Sequence, residues 1–432
     1  MLPKILLGVG LFATLFSILI FSCKIPVGSC KESTKAKGDV VLWGTLPEQD
    51  MSALTQEFNP QAKTYAVRYK YVPEADFEQR LLEALANGQG PDMIIAPYQT
   101  ILAETDRIYP FQIAEKTFRD AFVDGASVLF TSSGALALPV SVEPMVLFYN
   151  RTLFSKHGVI NPPAYWDELV TLAPLLTVRQ NGQFVESAIA LGTPTVPYAK
   201  DILMTIVAQL GQSPVIQTVD QTGGAYMSVQ ANEPVTQGSD ILPLATANRF
   251  FTQFGDPGQN AFTWPQAQTG NPADFFVGEK LAMYIGYSGE YQKLRERNPR
   301  GDFQMTTLPQ TRGYNTSVTG MRMYAVATLK TTKNPLTALT VEQDFASAGV
   351  APTIAQIIGG VPPFRTYAAT PSLDPVIARS MLVARGWYDR YAKESTDYVA
   401  TMISDIINYR YGVNDATTVF VARLRDLYAK KF

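Results

Sequence analysis

The chain has 432 residues and a formal net charge of −2. That length is enough for two substantial folded units with their own cores. The near-neutral charge, and the lack of any Lys/Arg cluster interleaved with aromatics, argue against a nucleic-acid partner. One His (His157) and two Cys (Cys23 and Cys30, both in or just after the leader) leave the body without the residues for a His/Cys metal site, and no cofactor is expected. Cys–His nucleophilic catalysis is excluded on the same ground, and a Ser-His-Asp arrangement would need His157. That residue sits in Phe-Ser-Lys-His-Gly and reads as an exposed helix end, its charge near the last carbonyls.

Lys4 precedes an apolar run over residues 5–22, the pattern of an export signal. The run is almost long enough to span a bilayer. Ile20-Phe21-Ser22-Cys23 resembles a bacterial lipoprotein signal, which makes Cys23 the expected lipid anchor. Val27-Gly28-Ser29-Cys30 is a second candidate, and an uncleaved signal anchor a third. All three hold an exported protein at the outer face of a membrane. Residues 31–38 read as a flexible tether.

Residues 40–43 form a short apolar run ending in Trp43, before Gly44 and Thr45, and read as a buried parallel strand. Helical spacing follows over 48–58, with Pro60 placed just past the end, then alternation over 65–71. A second helix stripe runs through Phe77, Leu81 and Leu85, and residues 92–96 make a third strand. Strand–helix–strand–helix–strand calls for an open α/β sheet, with ligands beyond the carboxyl ends of the strands. Those ends are Thr45 and Pro97-Tyr98-Gln99.

Stretch 137–150 reads as the passage from one lobe into another. Leu138, Val140 and Val142 alternate, Pro139 and Pro144 deny a helix, and 145–149 is a continuous apolar run. Glu143 lies between the halves. A charge there is costly to bury unpaired, so it is either a structural ion pair, an exposed turn, or a ligand contact. Trp166 falls on a helix stripe and reads as core. Asn181-Gly182 signals a two-residue hairpin turn. Trp264 lies on a loop, either packed on that loop or serving as a ligand platform. Tyr287 follows the buried strand 281–286, again at the ligand end. Residues 315–326 read as the return crossing, and 374–432 as helices, with Asp374 capping and Pro375 at the first helical position.

Several of these marks together resemble the extracellular solute-binding proteins of bacterial ABC importers, the maltose-binding-like group. They are the Trp-ended first strand, Gly88-Gln89-Gly90-Pro91-Asp92, the Leu138-Pro139 to Tyr149-Asn150 stretch, Trp166-Asp167-Glu168-Leu169, Gly278-Glu279-Lys280-Leu281-Ala282-Met283, and Leu308-Pro309. The resemblance covers residues 38–432. It implies a two-lobe periplasmic-binding-protein-like α/β fold, each lobe an open sheet flanked by helices, with hinge strands between. The expected division is 1–37 signal, anchor and tether; 38–142 and 315–366 one lobe; 143–314 and 367–432 the other. It also implies a monomer that captures a small solute, most often a sugar or oligosaccharide, and delivers it to an ABC permease. Carried over by position, the ligand contacts would include Tyr98, Glu143, Tyr198, Tyr287 and Tyr398, with Trp43 and Thr45 added from the end of the first strand and Trp264 from the loop reading.

No catalysis is required. Aromatic rings stack on a sugar's apolar face while carboxylates and amides bond its hydroxyls. Contacts made by both lobes exist only when the lobes close, so ligand favours closure. Three other readings stand beside this one. The protein could bind a peptide, a polyamine or a metal chelate. It could be a surface glycosidase using the carboxylates of Glu143 and Glu290. It could be an adhesin or sensor partner that does not transport.

Overall fold

The strand Leu138–Asn150 runs through the middle of the molecule and belongs to both of its halves. It is seen here in a computed structural model that describes residues 37–62, 65–219, 225–236, 239–314 and 316–429. The leader with Cys23 and Cys30 lies outside the described residues, as does Asn315.

Among the described residues nine strands form one sheet. They are β1 (Gly38–Gly44), β2 (Tyr65–Tyr71), β3 (Met93–Pro97), β4 (Leu138–Asn150), β5 (Val178–Gln180), β6 (Gln183–Ile189), β7 (Leu281–Tyr287), β8 (Phe303–Thr307) and β9 (Met321–Thr328). The order is β2-β1-β3-β9-β4-β7-β6-β5, with β8 also pairing β4. β1 is parallel to β2 and β3, while β9 runs antiparallel to β3 and β4. Helices flank the sheet, giving a mixed α/β fold. Two short hairpins, Val215–Val219 with Ala225–Val229 and Phe130–Thr131 with Gly134–Ala135, stand apart from it.

β4 divides its partners along its length. Residues 138–144 pair with β9, and residues 145–150 pair with β7 and β8. Proline cannot donate to a ladder, so two prolines inside a central strand need an explanation. The register against β9 slips between Tyr324 and Ala325, beside Pro139, and Pro144 stands where one set of partners gives way to the other. Both prolines therefore sit at interruptions of the pairing.

The packing follows the same division. One core gathers Val40, Leu42, Phe77, Ile94, Ile95 and Val142 with Met323 and Val326 of β9. The other gathers Met145, Leu147, Phe148, Trp166, Trp264 and Ile285 with Ile403 and Phe420 of the last two helices. Val142 belongs to the first and Met145, three residues on, to the second. Each core is continuous apolar surface removed from water, and that burial is the main force holding each half together. The sequence assigned 367–432 as a block to the second half. The helix Pro375–Val383 touches both cores, burying Met381 in the first, together with Ala384, and packing Val376 on the second, and Trp387 is buried in the second core.

His157 is not the exposed helix end expected of it. Its Nε2 lies 2.8 Å from Glu186 Oε2, and Lys156 pairs with the other oxygen of the same carboxylate. Burial works to raise the Glu186 carboxyl, but the hydrogen bonds it accepts from Lys156 and His157 outweigh it and hold the group below its usual range.

Candidate functional site

Where the two cores face each other the surface folds into a cleft of 720 Å³. The strand ends supply one wall: Thr45 after β1, Pro97 closing β3 and Gln99 beyond it, and Arg322 and Tyr324 on β9. Successive strand residues point to opposite faces, so Arg322 and Tyr324 share a face by their spacing of two. Ile357 and Ile358, at the end of the helix Ala351–Ile358, complete that wall. The opposite wall is made by Tyr198 and the first turn of the helix Ala199–Gln209, by Tyr287 at the end of β7, by Lys293, and by Thr396, Val399 and Ala400.

Glu143 lies at the floor, 2 % exposed. Arg322 Nη2 donates to its Oε2 at 2.7 Å. Burial pushes the Glu143 carboxyl up, and the Arg322 guanidinium opposes that without fully cancelling it. Burial works against the charge on Arg322, but Glu143 overrides it and raises the guanidinium further. The guanidinium also lies 4.4 Å from the centre of the Tyr287 ring, a cation–π contact across the two cores. Tyr287 donates its hydroxyl to Asp201 Oδ2 at 2.7 Å, and its ring meets Tyr198 edge-on at 4.9 Å. Glu290 accepts from the Tyr287 amide and the Tyr284 hydroxyl, both at 2.8 Å. Burial, aided by Glu290, pushes the Tyr198 hydroxyl up to about 12, so it stays a neutral donor.

Tyr198 is held in the left-handed region, with φ 60°. A bulky residue there is strained, and such strain persists only where the surroundings fix it. The helix Ala199–Gln209 starts immediately afterwards, and its Lys200 donates to Asp389 at 2.6 Å, to Ala392 O at 2.9 Å and to Ser395 Oγ at 3.1 Å. That buried cation pins the Tyr198 loop to the helix Ala392–Ile407. Burial raises the Asp389 carboxyl, and Lys200 holds it back.

Of the residues singled out in the sequence, Thr45, Glu143, Tyr198 and Tyr287 line the cleft together. Tyr287 is only 1 % exposed, and Arg322 lies over its ring. Four others stand elsewhere. Trp43 is buried in the first core, with Lys70 Nζ 4.2 Å from its ring centre. Tyr98 turns inward from the helix Tyr98–Ala103, while its neighbours Pro97, Gln99 and Thr100 reach the cleft. Trp264 is fully buried in the second core, edge-on to Phe275 at 5.3 Å, so the platform reading is corrected to core. Tyr398 packs against the second core with Arg423 5.6 Å from its ring. Thr396, Val399 and Ala400 form the helix face that lines the cleft, and Tyr398 is out of phase with it.

Sequence reasoning missed Arg322, Asp201 and Lys293. A signal existed for Arg322: in Met-Arg-Met-Tyr-Ala-Val it is the one charge in an otherwise apolar strand. Asp201 and Lys293 sit on helices whose phase toward the cleft depends on tertiary packing. The paired carboxylates of the glycosidase reading are both engaged, Glu143 by Arg322 and Glu290 by a tyrosine hydroxyl and an amide. Among the described residues no cluster of His, Cys, Asp and Glu could hold a metal ion, and no helix is long and apolar enough to cross a membrane.

No curated protein matches the sequence. Solved structures do resemble the fold. A cyclo/maltodextrin-binding protein complexed with maltotetraose superposes with a TM-score of 0.71 at 16% identity, covering 91% of this chain and 99% of that one. The sugar-binding protein MalE from the phytopathogen Xanthomonas citri gives 0.71 at 16%, covering 91% and 100%. A cyclic alpha-maltosyl-1,6-maltose binding protein from Arthrobacter globiformis gives 0.71 at 16%, covering 89% and 97%. At that identity the likeness speaks for the fold, which is that of two-lobe periplasmic binding proteins. The sequence itself matches the bacterial extracellular solute-binding proteins over residues 53–379, and the chain belongs to that family.

Proposed function

We propose that the chain captures a sugar or short oligosaccharide in the cleft and delivers it to an ABC permease. One lobe would be built on the first core and the other on the second, with passages at 142–145, 318–321 and 384–387. The observation that carries this reading is the cleft itself. It is walled by both cores, and the charges lining it balance: Glu74, Glu143 and Asp201 against Lys200, Lys293 and Arg322. A balanced lining with hydroxyls and amides around it suits a neutral, hydroxylated ligand better than a polyamine, which would need a net negative site. Structural neighbours support the same class: one is complexed with maltotetraose and another is a cyclic alpha-maltosyl-1,6-maltose binding protein. The Cys23 reading supports attachment of the chain to a membrane by lipid, and the protein acts as a monomer without catalysis.

The test is calorimetry of the full chain, purified in detergent, against maltose to maltotetraose, mannobiose and common monosaccharides. At least one saccharide should bind saturably, and Tyr198→Ala should weaken it at least tenfold. Binding of spermidine or a peptide, with no response to any saccharide, would overturn the sugar assignment.

A further inference from the structure

A second groove, of 590 Å³, opens on the second-core side of the molecule and shares no residue with the cleft. It lies where the end of the helix Pro243–Thr252, the loop over 253–259 and the turn between the helices Ala392–Ile407 and Val413–Ala429 meet. The helix Ala392–Ile407 serves both sites. Thr396, Val399 and Ala400 line the cleft, and Ile406 lines the groove. From Ala400 to Ile406 is about 9 Å along the helix axis, at ~1.5 Å per residue.

Tyr409 and Tyr411 stand on the turn, 71 % and 49 % exposed, and Tyr409 is the most exposed aromatic side chain among the described residues. Four non-glycine residues among those described have positive φ, and two of them are tyrosines: Tyr198 on the cleft and Tyr409, at 56°. The position just past a helix cap ordinarily takes glycine, so a bulky side chain there is strained. Asp256 fixes the ring in place. It accepts from the Tyr409 hydroxyl, and its own orientation is set by the Gly258 amide at 2.9 Å and by Gln259 Nε2 at 3.3 Å. An aromatic that is strained, exposed and held still does little for the core, and strain kept at such a place points to a ligand.

The groups around the rings select its class. Asp256 has engaged its oxygens with three donors, which leaves little for a cation. One guanidinium, Arg249, beside one carboxylate makes no field for a polyanion. Beside the rings the apolar side chains are Ile406 and Val413, a small surface for an acyl chain. Arg249 has no acceptor among the described residues, and Gln253 and Gln259 spend their amide nitrogens on Phe250 O and Asp256, which leaves their amide oxygens as acceptors. Aromatic faces rimmed by unspent donors and acceptors, with no net charge, match a sugar's apolar face and its hydroxyls. We propose that this groove is a second saccharide site, outside the cleft, which holds part of a longer glycan chain against the surface of the protein. Its volume falls within the ~300–1,000 Å³ of ordinary ligand sites. The site rests on the tyrosine turn and not on what the cleft binds.

The test is affinity electrophoresis of the full chain, in detergent, through native gels carrying soluble starch, glucomannan or xylan. At least one polysaccharide should retard the protein. Tyr409→Gly should weaken that interaction by about fivefold or more, the share of one stacked ring. Glycine suits the backbone at that position, so the variant should keep its fold, which circular dichroism checks. Tyr411→Ala, at the other ring, should weaken retardation in the same direction. Retardation by none of the three gels, or retardation that survives either substitution undiminished, would overturn the proposal. Short saccharides read the cleft by calorimetry, and Tyr409→Gly should leave that signal unchanged. Retardation lost in Tyr409→Gly, with no calorimetric signal in the unsubstituted chain, would support the groove while the sugar reading of the cleft failed.

Discussion

Arg322 satisfies two neighbours at once and still has capacity left. Its guanidinium carries five N–H donors, of which one reaches Glu143, while Nε is buried with no acceptor. Sugar hydroxyls are acceptors of the kind it lacks. Of the alternatives left open for Glu143 in the sequence, burial removes the exposed turn, while the residue is ion-paired and also lines the cleft. Removing Arg322 strands a carboxylate that is 2 % exposed, and the penalty for such a group exceeds the net value of the intact pair. Arg322→Ala should therefore cost about 2–3 kcal/mol in denaturant unfolding, below the usual range for a fully buried pair because the arginine is partly exposed. Adding Glu143→Gln to that variant should recover part of the loss. Additive costs in the double-mutant cycle would mean that the two side chains are not coupled in the folded state.

At the scale of elements, strand alternation and turn chemistry carried most of what could be read. Asn181 and Gly182 adopt φ of 52° and 78°, the paired positive values that the two-residue hairpin requires. Asp374 caps its helix as its position indicated, accepting from the Val376 amide at 2.7 Å. The third passage between the cores was not legible, because residues 374–429 are helical on both sides of it. Helical periodicity shows which face is buried and not which core receives it. Tyr398 was misplaced for the same reason. One element carries a group that no pattern flagged. The helix Pro335–Phe345 sets Glu342 fully inside the first core, where Thr328 of β9 donates to Oε2 at 2.7 Å and Oε1 has no partner. Burial raises its pKa to about 8, with the Thr328 bonds opposing. The folded chain therefore holds this proton across a range in which the unfolded chain has lost it. The resulting stabilisation is complete below about pH 4.5 and is lost as pH rises through about 8, by up to about 1.4 kcal/mol per unit. Glu342→Gln should flatten the fall in unfolding free energy between pH 5 and 8. An unchanged slope in that variant would place the pH dependence elsewhere.

For the whole molecule the decisive question is what the two halves touch when they meet. Gly289, just after β7 in the second half, packs against Gly359, which ends the helix Ala351–Ile358 of the first half in the left-handed region at φ 90°. A Cβ on Gly289 would lie 2.2 Å from Gly359 O and 2.5 Å from Glu143 Oε2, closer than either atom allows. The neighbouring Gly360 is equally tight, its Cβ position 2.3 Å from Ser141 Oγ on β4. Backbone thus meets backbone beside the cleft floor, and the approach of the halves is set by glycines that admit no side chain. If solute binds by drawing both walls together, its affinity depends on the free energy of that approach, and every 1.4 kcal/mol lost there weakens binding about tenfold. Gly289→Val should hold the halves apart, enlarge the radius of gyration in scattering and weaken saccharide binding by tenfold or more. Gly349→Ala is the matched control, since its Cβ meets only Ser347 Oγ at 3.7 Å. It should bind and scatter like the unsubstituted chain. Should Gly289→Val keep both its affinity and its dimensions, the glycine contact would play no part in closure, and the halves would meet through other residues.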